Sequence, residues 1–319
     1  MEDKTLNFED IIGHDFVKKQ IEKSINCGKF FHAHIICGED GIGKSIIARI
    51  AAQTLLNKRK DKDYADIIEY RGIKGKKSIG VNEVRMLTEE INKKPVEGDK
   101  KVIIVYNAQN ITADGQNAFL KNIEEPPSGV FIMLLCDNLE SILDTIKSRC
   151  QIYKLNRLSE GEMYLFLNKY YKKLSKEQLK PILAFSDGIP GRAQRFIDDD
   201  SLRKIRDFTQ TILSNLSGKR KDEVLKYESF LMQYKDEWQE VFTCFLTYIR
   251  DAMIYKETGK EELIINIDKY NFIQKISETF SYNKLGSIIE IIKDCRQKLN
   301  CNVNNALVFD YMLLKMQEV

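Results

Sequence analysis

The stretch Gly38-Glu39-Asp40-Gly41-Ile42-Gly43-Lys44-Ser45 carries glycines, a lysine and a hydroxyl at the spacing G-x-x-x-x-G-K-[ST]. Each residue type serves the holding of a polyphosphate. Glycines let backbone N–H groups curl around the anion, Lys44 neutralises its outer charge, and Ser45 can hold Mg²⁺. A helix opening at Lys44 turns its positive dipole end toward the same anion. The pattern has meaning only between a strand and a helix, and both are written in the chain. Ala33 to Cys37 is largely apolar, and Ile46, Ile47, Ile50, Ala51 and Leu55 follow at helical spacing with their faces expected inward. Nucleotide binding is the chemistry expected; hydrolysis is not decided by these residues.

Other groupings read as structure. Cys27, His32, His34 and Cys37 fit no zinc spacing, and Cys37 points away from the strand face shared by His34 and Ile36. Cys295 and Cys301 read as buried apolar side chains. The lysine clusters at Lys58 to Lys62, Lys74 to Lys77, Lys93-Lys94 and Lys100-Lys101 are interleaved with acids and lack aromatic stacking partners. They read as solvated loops rather than a nucleic-acid track. Glu124-Glu125 is a carboxylate pair, but Pro126-Pro127 directly behind it argues for a helix end rather than acid–base chemistry.

The 319 residues suffice for two or three domains, and a net charge of +3 implies no strong global attraction to nucleic acid. Seven cysteines without a C-x-x-C point to a reducing compartment. The opening MEDKTLNFED lacks the apolar core of a signal peptide, and the longest apolar run, Val130 to Cys136, is too short to cross a bilayer. A cytoplasmic protein with no membrane partner is expected.

A helix through Val17, Ile21 and Ile25 precedes the loop. Beyond it, strands at Asp66 to Tyr70, Lys101 to Tyr106, Val130 to Leu135 and Gln151 to Leu155 alternate with helices. One helix carries Val81, Val84, Leu87 and Ile91; another, capped by Thr112, carries Phe119, Leu120 and Ile123. This alternation predicts an α/β fold, a parallel sheet covered on both faces. After Asn156 helical spacing dominates, first through Met163, Leu165, Phe166 and Tyr170, then through Leu179, Ile182 and Leu183. Past Pro190 there is no further proline, which predicts a helical bundle.

Taken together these pieces resemble the AAA+ clamp-loader family, its delta'-type subunits most closely. Asn7-Phe8-Glu9-Asp10-Ile11-Ile12-Gly13 is similar to the segment that lines the adenine pocket there, and His32-Ala33 to the usual approach to the first strand. Asn117 to Pro127 resembles the N-x-L-L-K-x-L-E-E-P stretch, Ser148-Arg149-Cys150 the Ser-Arg-Cys motif, and Gly188 to Ala193 the start of the sensor 2 helix. The resemblance implies a P-loop AAA+ domain over 1–156, a small helical lid over 157–205 and an all-α collar over 206–319. It implies ATP or ADP with Mg²⁺ on Gly38 to Ser45, with Ile11, Ile12, Gly13 and Arg192 as further contacts and Ser45 toward the metal. It implies no zinc, since the cysteine-bearing insertion of some relatives has no room between Ala52 and Tyr64. Gamma/tau-type and delta-type subunits would be partners, and the sliding clamp and primed DNA would be met through their complex.

Departures from the family pattern shape the expected activity. Where active members end the third strand in Asp-Glu, this chain has Tyr106-Asn107, neither of them anionic near neutral pH. The sensor 2 arginine position reads Gly191, with Arg192 one residue later, and the sensor 1 position falls somewhere in Cys136-Asp137-Asn138. The expectation is a stator-like subunit, nearly inert itself, whose Arg149 acts as an arginine finger in a neighbour's site. The alternative is a self-sufficient ATPase of gamma type, favoured by the intact loop. A small-molecule kinase has no use for the long helical third.

Overall fold

The computed structural model describes residues 7–58, 64–73, 76, 78–171, 174–216, 221–301 and 303–319. Arg59 to Asp63, Lys74, Gly75 and Lys77, within two of the lysine clusters, lie outside these residues. Two compact units emerge, one of Met1–Lys172 with Asp187–Gly191, the other of Lys173–Ser186 with Arg192–Val319.

The first unit is built on strands β1 (Ala33–Cys37), β2 (Ile67–Tyr70), β3 (Lys101–Val105), β4 (Val130–Cys136) and β5 (Gln151–Lys154). They pair in the order β2-β3-β4-β1-β5, every neighbour parallel. Helices α1 (Asp15–Asn26), α2 (Lys44–Leu55), α3 (Val81–Asn92), α4 (Ala113–Glu124), α5 (Asp144–Lys147) and α6 (Glu160–Tyr170) accompany them. Alternate strand residues feed two cores, as the pleat demands. Ile36, Val102, Ile104 and Met133 pack with Val17, Ile21, Ile47 and Ala51 on one face. Ile35, Ile103, Val105 and Leu134 pack with Val84, Leu87, Ile91 and Phe119 on the other. Burial on both faces is why the central strands are continuous apolar runs instead of alternating ones.

Thr112 caps α4 as expected, its hydroxyl accepting the Gly115 N–H at 3.2 Å. Two expected core residues face outward. Ile46 is 41% exposed, because the inner stripe of α2 runs through Ile47, Ile50, Ala51 and Leu55 and Ile46 lies at its flank. Leu165 is 59% exposed, since Met163 and Leu167, four apart, define the buried side of α6.

The second unit is helical among its described residues: α7 (Lys176–Ser186), most of α8 (Pro190–Asp198), α9 (Asp200–Asn215), α10 (Lys221–Gln233), α11 (Trp238–Thr258), α12 (Tyr270–Thr279), α13 (Tyr282–Asn300) and α14 (Asn305–Glu318). Phe242, Phe245, Tyr248 and Phe309 are its largest fully buried side chains. Asp251 of α11 is wholly buried there and accepts the Ile265 N–H at 3.0 Å, the Asn266 N–H at 2.7 Å and the Asn266 side-chain amide at 2.9 Å. It thereby anchors the irregular stretch between α11 and α12. Cys295 is buried as expected, but Cys301 is exposed because it caps the end of α13 where the helix leaves the core.

Candidate nucleotide site

The register of the sheet creates the site. Cys37 and Cys136 lie opposite one another at the ends of β1 and β4, so the chain leaves both strands side by side. Gly38 starts the loop there, its N–H donating to the Cys136 carbonyl at 3.1 Å. Such a crevice at the carboxyl ends of parallel strands, beside a crossover, is the ordinary ligand position of α/β sheets. Gly43 is the N-cap of α2 with φ 109°, a conformation that strains any residue with a Cβ, and no side chain caps the helix. The first turn of α2 is therefore available to an anion.

Lys44 lies low in this loop. Its ammonium donates to the Gly38 carbonyl at 2.7 Å, the Glu39 carbonyl at 2.9 Å and Asp137 Oδ1 at 2.6 Å. The second carboxylate oxygen of Asp137 accepts from Gln109 Nε2 at 3.2 Å, and the Asp137 N–H donates to Gln109 Oε1 at 3.2 Å. Ser45 is half-buried in the first turn of α2, Ile42 is buried, and Asp40 is exposed.

The loop tip is fastened from two sides. Gly191 donates its N–H to the Gly41 carbonyl at 2.9 Å. Arg157 grips Glu39 with both Nε and Nη2, the latter at 2.9 Å, and also pairs with Asp187. His14 Nε2 meets the Ile42 carbonyl at 3.3 Å, and burial holds its pKa below the ordinary histidine value. Ile11 and Ile12 are half-buried just before it, and the Ile11 carbonyl accepts from Lys18 Nζ at 2.6 Å. Gly13 turns with φ 76° against Leu158. Arg192, half-buried, opens the second unit's share of α8.

At the end of β3 stand Tyr106 and Asn107, the residues at which the sequence departs from the family pattern. Tyr106 is buried, donates its hydroxyl to Glu69 Oε2 at 3.1 Å and carries the Arg71 guanidinium 3.7 Å above its ring. Glu69 is also paired with Arg49 and Arg71, and the Arg49 hydrogen bonds foremost lower its carboxyl to about 2. Asn107 is exposed and left-handed at φ 51°, a region that asparagine tolerates.

Arg149 lies far along the chain from the loop, after α5. Its Nη1 donates to the Thr145 carbonyl at 3.0 Å and to Ser148 Oγ at 3.2 Å, and its Nε pairs with Glu124 at the end of α4. The side chain is 42% exposed. Burial pushes the neighbouring Cys150 thiol up to about 12, so it packs as a neutral group.

Residues 13–159 match the family model described as DNA polymerase III, delta subunit, and residues 200–318 match the one described as DNA polymerase III, delta subunit, C terminal. The chain belongs to the DNA polymerase III clamp-loader family. It is 25% identical to the DNA polymerase III subunit gamma of Buchnera aphidicola subsp. Schizaphis graminum, over 97% of this chain and 94% of that protein. It is 26% identical to the DNA polymerase III subunit delta' of Escherichia coli, over 76% of this chain and 71% of that one. It is 22% identical to the subunit tau of Bacillus subtilis over 97% of this chain, but spans only 61% of that protein.

For this clamp-loader chain, sequence reasoning located the loop and missed what holds it. The Asp137 contact with Lys44 depends on the β1–β4 register, and only the position of Asp137 directly behind an apolar strand hinted at it. The Arg157 grip joins residues 118 apart in sequence and leaves no local signal. No helix among the described residues is long and apolar enough to cross a membrane.

Proposed function

We propose that the chain acts as a delta'-like stator in the clamp loader, a subunit that supports hydrolysis by a neighbour instead of performing it. The observation that carries this reading is the end of β3. Tyr106 and Asn107 supply no carboxylate, and the nearby Glu69 is committed to two arginines. Positioning and charge are most of phosphoryl-transfer catalysis, so a site without these acids loses most of its rate.

The residues present fit a polyphosphate. Gly43 opens an uncapped helix, a Cβ there would meet open space, and Lys44 and Ser45 stand at its start. ATP or ADP would thus be held by Gly38 to Ser45, with Ile11, Ile12 and Gly13 on the base side. The acid that usually shares Mg²⁺ with the loop hydroxyl has no counterpart at Tyr106 or Asn107, so Ser45 would be the protein's part in holding the ion. When bound, the nucleotide supplies a charged wedge that ties the loop to the sheet. The same intact loop favours the second reading, an active ATPase of gamma type.

Arg149 is the residue assigned to catalysis in trans. Its exposed planar guanidinium, steadied by Thr145, Ser148 and Glu124, suits a finger that reaches a γ-phosphate on another subunit. Partners of gamma/tau and delta type, with the sliding clamp and primed DNA met through them, complete the reading, as does a cytoplasmic location. The division into AAA+ domain (1–156), lid (157–205) and collar (206–319) belongs to it too. The lid's helices separate here, α6 lying in the first compact unit and α7 in the second.

A reconstituted loader tests the proposal. Arg149→Ala should depress its DNA-stimulated ATPase far more than Lys44→Ala does, because a finger is worth about 10³–10⁵ in the rate of the site it serves. Equal and minor effects of both substitutions would remove the assignment.

A further inference from the structure

Lys44 has three ammonium protons, and the fold uses each of them: one on the Gly38 carbonyl, one on the Glu39 carbonyl and one on Asp137 Oδ1. A phosphate oxygen arriving at this ammonium must displace an acceptor. The two carbonyls belong to the loop's own backbone, so moving them means rearranging the loop. Asp137 can leave, since its side chain is 40% exposed whereas that of Lys44 is 11% exposed.

The position of Asp137 is built. The β1–β4 register brings it beside Gly38, and Gln109 holds it through two further hydrogen bonds, one on the carboxylate and one on the backbone. Gln109 lies in the turn directly behind Tyr106 and Asn107. A carboxylate so placed neutralises the cation that the loop offers to an anion, and it repels the anion itself.

We propose that Asp137 sets the nucleotide affinity of this loop by acting as an internal counter-ion that competes with the outer phosphates for Lys44. The assignment rests on reading the loop as a nucleotide seat. It makes a distinction that general structural support does not. Lys44 in such loops serves the β- and γ-phosphates, so ADP and ATP contest its place with Asp137 and AMP does not.

The test is a titration of the full chain, wild type and variants, with ADP, ATP and AMP in the presence of Mg²⁺, followed by calorimetry and by thermal shift. Asp137→Asn and Asp137→Ala should each bind ADP and ATP about ten-fold or more tightly than the wild type, with AMP unchanged. Lys44→Ala should bind ADP and ATP more weakly than the wild type. Unchanged or weaker ADP and ATP binding in both Asp137 variants, with Lys44→Ala still impaired, would overturn the counter-ion and leave the seat standing. A gain for AMP as large as that for ADP would overturn it as well. Absence of ADP and ATP binding in every chain tested would overturn both readings.

Discussion

Gly191 and Gly41 meet backbone to backbone: the Gly191 N–H donates to the Gly41 carbonyl at 2.9 Å, and a Cβ added to Gly191 would lie 2.6 Å from Gly41 Cα. The family resemblance places an arginine at this position, yet no side chain fits it here. Gly191→Ala should therefore lower stability by about 1–3 kcal/mol, the usual cost of overpacking a tight contact. Urea unfolding of the two chains measures it, and equal midpoints would mean that the loop yields without cost.

The chain on its own should turn over ATP at background rate, since neither Tyr106 nor Asn107 carries a carboxylate to balance the metal and polarise the attacking water. Steady-state phosphate release by the purified protein is the measurement. Hydrolysis that disappears in Lys44→Ala would favour the gamma-type reading over the stator.

Acid should weaken the first unit through His34. This residue of β1 is 1% exposed, its ring stacks on Phe30 at 3.9 Å, and Nδ1 has no hydrogen-bond partner. Desolvation lowers its pKa to about 4, against an ordinary value of 6.5. Between these values the unfolded chain binds a proton that the folded one refuses. Stability is therefore lost as pH falls from about 6.5 to about 4, by on the order of 3 kcal/mol over the full window. His34→Phe keeps an aromatic ring against Phe30. The difference in unfolding free energy between wild type and variant, followed from pH 7 downward, should show this slope; parallel curves would contradict it.

Within the helical unit, Asp251→Ala would strand the Ile265 and Asn266 N–H groups that the carboxylate now receives. Removing one partner of a buried, charge-assisted cluster costs about 3 kcal/mol or more. Chemical denaturation should register that loss, whereas Asp251→Asn, which keeps an acceptor, should recover part of it.

How far the molecule was legible follows from the range of each signal. The loop, the central strands and the Thr112 cap are written in residues close together, and the structure has them where spacing put them. Ile46 and Leu165 went astray because apolar residues next to a helical stripe look like members of it until the facing surface is known. The Lys44–Asp137 and Arg149–Glu124 pairs join residues brought together by strand order, which no local pattern encodes. The closeness of Gly191 to Gly41 joins residues 150 apart in the sequence and became visible only in three dimensions.

The cluster at the end of β3 bears on what it would take to place acids there. An aspartate at position 106 would remove both the hydroxyl that Glu69 accepts from and the ring on which Arg71 rests. A glutamate at 107 would inherit a left-handed backbone, at a cost on the order of 1–2 kcal/mol. Installing two acids here would thus disturb Glu69, Arg71 and the turn itself together. Tyr106 and Asn107 are thus wired into their own surroundings, and anyone engineering acids into this turn would have to rebuild those contacts along with them.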